Sequence, residues 1–318
     1  MSDALRTLLE RLADGHQHSG ADLAKSLGIT RAAVWKRVEL LRALGVDIQA
    51  ASGGGYHLER PLTLLDETAI RSCLKHPGLE LETTFLVEST NASLSARRAD
   101  IRPPHALLAD GQSAGRGRRG RHWLSPPGSG IFLSLAWRFQ SGLTGLSALS
   151  IVVGIAAARS LQQAGLEQVR LKWPNDLQVD GRKLGGCLID INGSAEGPCD
   201  AIIGLGINLA LAQTDAIDQP WTDLRQAGLE ADRNGLTADL LDRLCQAAEC
   251  LDRAGFAPFR DDWLALDALH GRTVQVLGHD GNLQTGRADG IDERGCLRLI
   301  TDSGVQAISS GDVSVRAL

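Results

Sequence analysis

GRGRRGR, residues 115–121, stands in the middle of a 318-residue chain whose formal net charge is −5. Four arginines (Arg116, Arg118, Arg119, Arg121) alternate with three glycines (Gly115, Gly117, Gly120), and Trp123 follows closely. Glycine lets backbone N–H groups approach an anion, and guanidiniums supply paired donors that match phosphate oxygens. The stretch therefore predicts a loop that is open when empty and orders around a phosphate-bearing ligand. A nucleotide and a nucleic acid both satisfy that description. Arginine-glycine tracts that bind RNA usually sit in disordered, low-complexity tails. This one runs into HWLSPPGSG and the strongly apolar strand Ile131–Phe139, so it belongs inside a folded domain.

Working outward, residues 83–269 alternate strand and helix patterns, the grammar of an α/β domain with a mixed sheet. Strands are expected at 84–87, 105–109, 131–139, 169–173, 177–179, 184–191 and 201–207, with helices at 91–98, 146–164 and across 237–268. Residues 61–82 read as a connector holding a short helix, 66–74. Residues 1–60 carry short helical periods: Leu5, Leu8, Leu9 and Leu12 share one face, and Ser19 can cap a helix over 21–27. Ala24, Gly28 and Val34 have helix-turn-helix spacing, the second helix runs 31–43, and DIQAASGGGYHLE reads as a wing hairpin with Gly53–Gly55 at its tip. Thr30, Arg31, Ala32 and Trp35 would then face base edges, with Lys36 and Arg37 nearer phosphates. From 270 to 318, closely spaced turns at Asp280–Gly281 and 302–304 suggest a small five-stranded barrel.

Composition narrows the function classes. A hydrophobic content of 43% supports packed cores, and the acidic balance confines any nucleic-acid contact to local patches. The N-terminus does not read as a secretory signal, and the apolar run 148–158 is too short to cross a bilayer and reads as a buried helix. A soluble cytoplasmic protein without membrane partners is the expectation. Six scattered cysteines form no C-x-x-C pair and read as reduced, mostly buried thiols. No Walker A motif is present, and GLGIN (204–208) lacks the third glycine of a dinucleotide fingerprint.

Four further runs accompany the arginine loop: ESTN (88–91), KWPND (172–176), GRKLGG (181–186) and GLGIN. In this order, and behind a winged helix, they resemble the biotin protein ligases of the bifunctional bacterial type that also repress the biotin operon. The resemblance spans essentially the whole chain and implies a winged helix, a biotin/lipoate-ligase-like catalytic domain and an SH3-like C-terminal barrel. It implies that biotin and ATP form biotinyl-5′-AMP, with Mg²⁺ on the polyphosphate, before transfer to a lysine of a biotin carboxyl-carrier protein domain. It also implies operator DNA as a partner and a homodimer when biotinyl-5′-AMP is bound, with 184–191 as a candidate dimer edge.

The same resemblance assigns roles. Lys183, Arg116 and Arg118 are the catalytic candidates; Ser89, Thr90, Asn91, Gln112, Gly115, Gly117, Gly204 and Gly206 would join them around biotin and its adenylate. Arg119, Arg121, Trp123, Asn175, Asn208 and Trp221 would serve the nucleotide, and Asp176 the metal. Ser89–Asn91 can equally cap a helix, Asp176 a turn, and either tryptophan can be a core residue. A ligase whose N-terminal domain no longer reads DNA, a ligase for lipoate or another acyl acid, and a nucleic-acid-binding regulator are the alternatives.

Overall fold

The structure, a computed structural model, describes residues 2–51, 54–212, 215–278, 282–310 and 313–317. Gly53 at the wing tip and the Asp280–Gly281 turn fall outside the described residues. The N-terminal unit comprises α1 (Ser2–Leu12), β1 (His18–Ser19), α2 (Gly20–Leu27), α3 (Arg31–Ala43), β2 (Ile48–Ala51) and β3 (Gly55–Leu58). Ser19 caps α2 by accepting from Asp22 N, and Thr30 caps α3 by accepting from Ala33 N at 3.2 Å. Each cap satisfies one orphan N–H of a helix start. The leucine face of α1 packs on Leu23, Ala24, Val34, Val38 and Leu41, and the three short strands close the domain in the order β1-β3-β2. This is a winged helix-turn-helix.

The segment after the wing is anchored by the buried Leu65, Ile70 and Leu79. Its helix α4 (Glu67–Cys73) is capped by Asp66, lies against the later helix 233–254, and buries Ile70 in the main core. The central sheet then begins at β4 (Glu80–Val87) and continues through α5 (Thr90–Ala96), β5 (His105–Gln112), β6 (Gly130–Phe139), α6 (Leu149–Gln163), β7 (Arg170–Lys172), β8 (Asp176–Val179), β9 (Arg182–Gly193) and β10 (Cys199–Asn208). Helices α7 (Arg233–Ala254) and α8 (Arg260–Leu266) complete the domain. Strand order is β4-β5-β6-β10-β9-β8-β7; β4 and β5 are parallel, joined by α5, and every other pair is antiparallel.

Side-chain alternation along β6 separates the two faces of the sheet. Leu133, Leu135 and Trp137 enter the core with α6 and α7, while Ser134 and Ala136 turn to the face covered by α5. Residues 143–163 have the length and hydropathy of a membrane span, but 67% of that window is buried inside the fold. α6 is the central core helix, as its apolar run suggests. Of the cysteines, Cys187, Cys199 and Cys245 are buried.

The C-terminal unit is a five-stranded antiparallel sheet: β11 (Thr273–Leu277), β12 (Leu283–Ile291), β13 (Leu297–Thr301), β14 (Gly304–Ile308) and β15 (Ser314–Ala317), ordered β14-β13-β12-β11-β15. Its inner residues Val274, Val276, Ala288, Leu297, Leu299 and Val315 join the catalytic core without a break. Trp173 of KWPND is 1% exposed and donates from Nε1 to Gly295 O at 2.9 Å, pinning the β12–β13 turn to the catalytic domain.

A buried ion pair ties these parts together. Asp110, at 0% exposure, meets Arg233, at 2%, with Nη1 to Oδ1 at 2.6 Å. Asp110 Oδ1 also accepts from Leu65 N, and Arg233 donates to Thr63 O and Gly130 O. Arg6 of α1 approaches Asp110 Oδ2 at 3.7 Å and donates to Leu65 O. Burial pushes the Asp110 carboxyl up and the Arg233 guanidinium down, and each charge opposes the shift of the other. Removing one partner leaves a charge stranded in the core. Arg233→Met is expected to lower unfolding stability by about 3–5 kcal/mol in urea titrations. Arg233→Met combined with Asp110→Leu should cost less than the sum of the two single changes.

Candidate active site

The polar floor of the site is built where α5 starts. Ser89 caps the helix, accepting from Ala92 N at 3.4 Å, so the capping account of ESTN holds in the structure. Thr90 N and Oγ1 both donate to Gln112 Oε1, at 2.9 and 3.2 Å, and Gln112 Nε2 donates to Ser125 Oγ. Asn91 donates to Leu188 O at 3.0 Å and accepts from Ser134. These buried polar groups are oriented by the sheet beneath them, which is how a fixed hydrogen-bonding surface is kept at low entropic cost.

GLGIN supplies clearance. A Cβ at Gly204 would strike the Asn91 carboxamide, and one at Gly206 would lie 2.8 Å from Trp123 Nε1. Glycine at these two positions lets the Asn91 side chain and the Trp123 ring lie flat on β10. The indole N–H of Trp123 is buried without an acceptor among the described residues.

The arginine stretch forms an irregular hairpin. Gly117 N donates to Arg121 O at 2.7 Å, Trp123 N donates to Gly115 O at 2.8 Å, and Arg116 bridges His122. Arg119 turns the tip in the left-handed region, at φ 59°, a conformation that costs a non-glycine residue about 1 kcal/mol or more. Arg118 reaches across to Asn175 Oδ1 and to the carbonyl of Ser310 in the C-terminal unit. Asn175 in turn donates to Cys187 O at 2.6 Å.

Lys183 stands opposite. Its Nζ lies 2.6 Å from Asp176 Oδ1 and 5.4 Å from the centre of the Trp123 ring. Its backbone is held on both sides, by Lys183 N to Pro220 O and by Thr222 N to Lys183 O, each at 2.9 Å. Desolvation pulls the Lys172 ammonium down, although Asp176 works against that shift. Burial pushes the Cys187 thiol up to about 12, which leaves it inert as a nucleophile.

Together these groups line a cavity of about 860 Å³ between the catalytic sheet and the C-terminal unit. The loop brings Arg116, Arg118, Arg119 and Arg121; Lys172, Lys183, Arg272 and Arg316 come from elsewhere; among the described residues the lining carboxylates are Asp176 and Asp218. Eight cations facing two carboxylates make this a strongly positive pocket in an acidic protein, suited to a polyanion.

The sequence candidates Ser89, Thr90, Asn91, Gln112, Gly117, Trp123, Asn175, Asp176, Gly204 and Gly206 line the cavity with the loop arginines and Lys183. Gly115, Asn208 and Trp221 do not. Gly115 is packed under Trp123 and Ser125. Asn208 is buried and donates to Thr222 O. Trp221 bridges the Lys183 backbone, while residues 216–220 just before it form the wall. Lys172, Arg272, Arg316 and Asp218 went unassigned from sequence. Lys172 sits inside a quoted motif, but its burial is a tertiary property, and the two arginines arrive on another domain.

Among the N-terminal candidates, Thr30, Arg31, Ala32, Trp35 and Lys36 are exposed on α3 and Arg37 is half-buried. They lie outside the buried seam of Val34, Val38 and Leu41, with Ala32 and Lys36 on the opposite side of the helix.

Three family models match the chain: the biotin/lipoate A/B protein ligase family over residues 84–208, an HTH domain over 4–57, and the biotin protein ligase C-terminal domain over 269–316. The chain is 39% identical over 313 residues to the bifunctional ligase/repressor BirA of Salmonella typhimurium, covering 98% of this chain and 97% of that one. It is 32% identical to BirA of Bacillus subtilis, over 93% of both chains. The solved structure of the Aquifex aeolicus biotin protein ligase in complex with biotin and ATP superposes with a TM-score of 0.65. It is 27% identical and covers 75% of this chain and 99% of that one.

The glycine clearances are directly testable. Gly204→Ala must displace Asn91 from its place against Ser134 and Leu188 O. We expect a loss of about 1–3 kcal/mol of stability, read as a lower calorimetric Tm, with the crystal structure of the variant showing Asn91 rotated off the strand.

Proposed function

The chain belongs to the bifunctional biotin protein ligase/repressors, and from that premise we propose how its cavity carries out the ligation. The protein is an ATP-dependent biotin ligase and a DNA-binding repressor. The observation that carries the catalytic reading is the convergence of Lys183 and the loop arginines on one pocket beside the polar floor of Ser89, Thr90, Asn91 and Gln112. The floor suits the ureido ring of biotin, whose two N–H groups and carbonyl need fixed partners. The cations suit the polyphosphate of ATP.

The first step joins a biotin carboxylate oxygen to the α-phosphorus of ATP and breaks the bond to the β-phosphate oxygen, releasing pyrophosphate. Two anions must be brought together, so the work is charge neutralisation and alignment. Lys183, held beside Asp176 when no polyanion competes, transfers its contact to the carboxylate and then to the acyl-phosphate oxygens. Arg116 and Arg118 flank the same oxygens. Arg119, Arg121, Lys172 and Arg316 face the rest of the nucleotide, and Trp123 offers its orphan N–H and its ring. In the second step the amine of a carrier-protein lysine attacks the acyl carbon and AMP leaves.

Mg²⁺ fits this pocket as an ion borne by the polyphosphate. Among the described residues no group of three His, Cys, Asp or Glu side chains is placed to hold a metal. Mg²⁺ is commonly held by one or two carboxylates together with substrate phosphates, and Asp176 would be its protein contact here. When bound it neutralises phosphate charge in the transition state.

The repressor half rests on the winged helix. Occupancy by biotinyl-5′-AMP orders the arginine loop, and an ordered loop lowers the cost of a dimer surface built beside it. A homodimer would present two α3 helices to a two-fold operator. Carrier protein and second protomer would meet the same occupied site.

ATP–pyrophosphate exchange tests the reaction: biotin should support it, and lipoate and octanoate should not. Exchange with lipoate and none with biotin would overturn the reading. Lys183→Ala is expected to slow the biotin-dependent exchange by roughly 10²–10³-fold. Arg118→Gly removes the link from the loop to Asn175 and Ser310. Even one of these two charged hydrogen bonds, at about 1.5–3 kcal/mol, is enough for biotinyl-5′-AMP release to speed up roughly ten-fold or more, measured as free adenylate in the ultrafiltrate. Unchanged release in that variant would show that the loop does not retain the adenylate.

A further inference from the structure

Trp35 is 57% exposed, whereas Trp137, Trp173 and Trp263 are at most 8% exposed. It sits on α3 one turn after the Thr30 cap, with Val34 and Val38 on either side in sequence fully buried. The exposed face around it holds Arg31 four residues before, Ala32 three before and Lys36 next to it. Residues at i, i+3 and i+4 are neighbours on a helix surface. The acidic residue of the helix, Glu39, is already neutralised by Arg42 at 2.7 Å. Arg31, Lys36 and Arg37 form no ion pair among the described residues. The outer face of α3 is thus an aromatic ring and a methyl set among uncompensated cations.

We propose that Trp35 is a specificity-determining residue of the DNA-binding function, reading one A·T pair in each half-site through the thymine methyl group. This rests on the repressor reading given above. Phosphate contacts from Lys36 and Arg37 position the helix without carrying sequence information, and Arg31 at a base edge would read guanine at a different pair. An indole presents an apolar face and a single N–H donor. The thymine 5-methyl is the apolar group on the base edges of the major groove. Ala32 adds a second methyl beside the ring, so the contact is a small apolar socket framed by phosphate-binding charges.

The test uses full-length protein with biotin and ATP and a randomised duplex library, comparing wild type, Trp35→Ala and Trp35→Phe. Wild type should enrich a two-fold site with an A·T pair at the same place in each half. Trp35→Ala should lose preference at that pair alone, and its affinity for the wild-type site should fall about five-fold or more. Its salt dependence and its Tm should be unchanged, and Trp35→Phe should keep the preference. Deoxyuridine in place of that thymine should weaken wild type by a similar factor and leave Trp35→Ala unaffected. An unaltered preference in Trp35→Ala, or equal weakening on every duplex, overturns the proposal. If wild type enriches no sequence, the repressor reading itself fails.

Discussion

The buried pair between Asp110 and Arg233 is the constraint on which the arrangement of this molecule depends. Arg233 opens the long helix α7, Asp110 lies near the end of β5, and their remaining hydrogen bonds take in the connector at Thr63 and Leu65 and the start of β6 at Gly130. Arg6 brings the DNA-binding domain to the same carboxylate. Two residues beyond Asp110, Gln112 orients Thr90 at the floor of the cavity. One ionic centre therefore fixes the docking of the winged helix and the end of the strand that carries the ligand floor. A hydrophobic contact would hold these parts together with less angular definition, because hydrogen bonds are directional and apolar contacts are not.

Around that frame the pocket concentrates positive charge that the chain as a whole does not have. The arginines of the loop, Lys172, Lys183 and the arginines of the C-terminal unit face one space, and among the described residues Asp176 and Asp218 offset part of their mutual repulsion before a polyanion arrives. The ion pair between Lys183 and Asp176 and the reach of Arg118 to Asn175 and Ser310 are partnerships that a substrate can replace. The C-terminal domain belongs to the site itself. It supplies cations to the wall and receives the loop, with Trp173 fixing its position.

The arginine-glycine stretch, first compatible with either a nucleotide or a nucleic acid, lines the cavity, while a separate set of exposed cations lies on α3. A bifunctional protein needs these two surfaces kept apart yet mechanically connected. β5 provides the connection: it carries Asp110 and ends at Gln112, three residues before the loop begins at Gly115.

Local pattern determined much of this protein. The limits of α3, the cap at Ser19, the short helix after the wing, the buried α6 and five C-terminal strands follow from periodicity and turn chemistry, which act over a few residues. The motif runs marked the cavity wall through their resemblance to the biotin protein ligases. Tertiary structure alone decided that Asn208 and Trp221 support the wall instead of forming it, and that Gly204 and Gly206 are clearances for Asn91 and Trp123. It alone brought Lys172, Arg272 and Arg316 to the pocket and paired Asp110 with Arg233 across more than a hundred residues. Burial, clearance and charge pairing depend on which distant segments meet, and no window of sequence contains both partners.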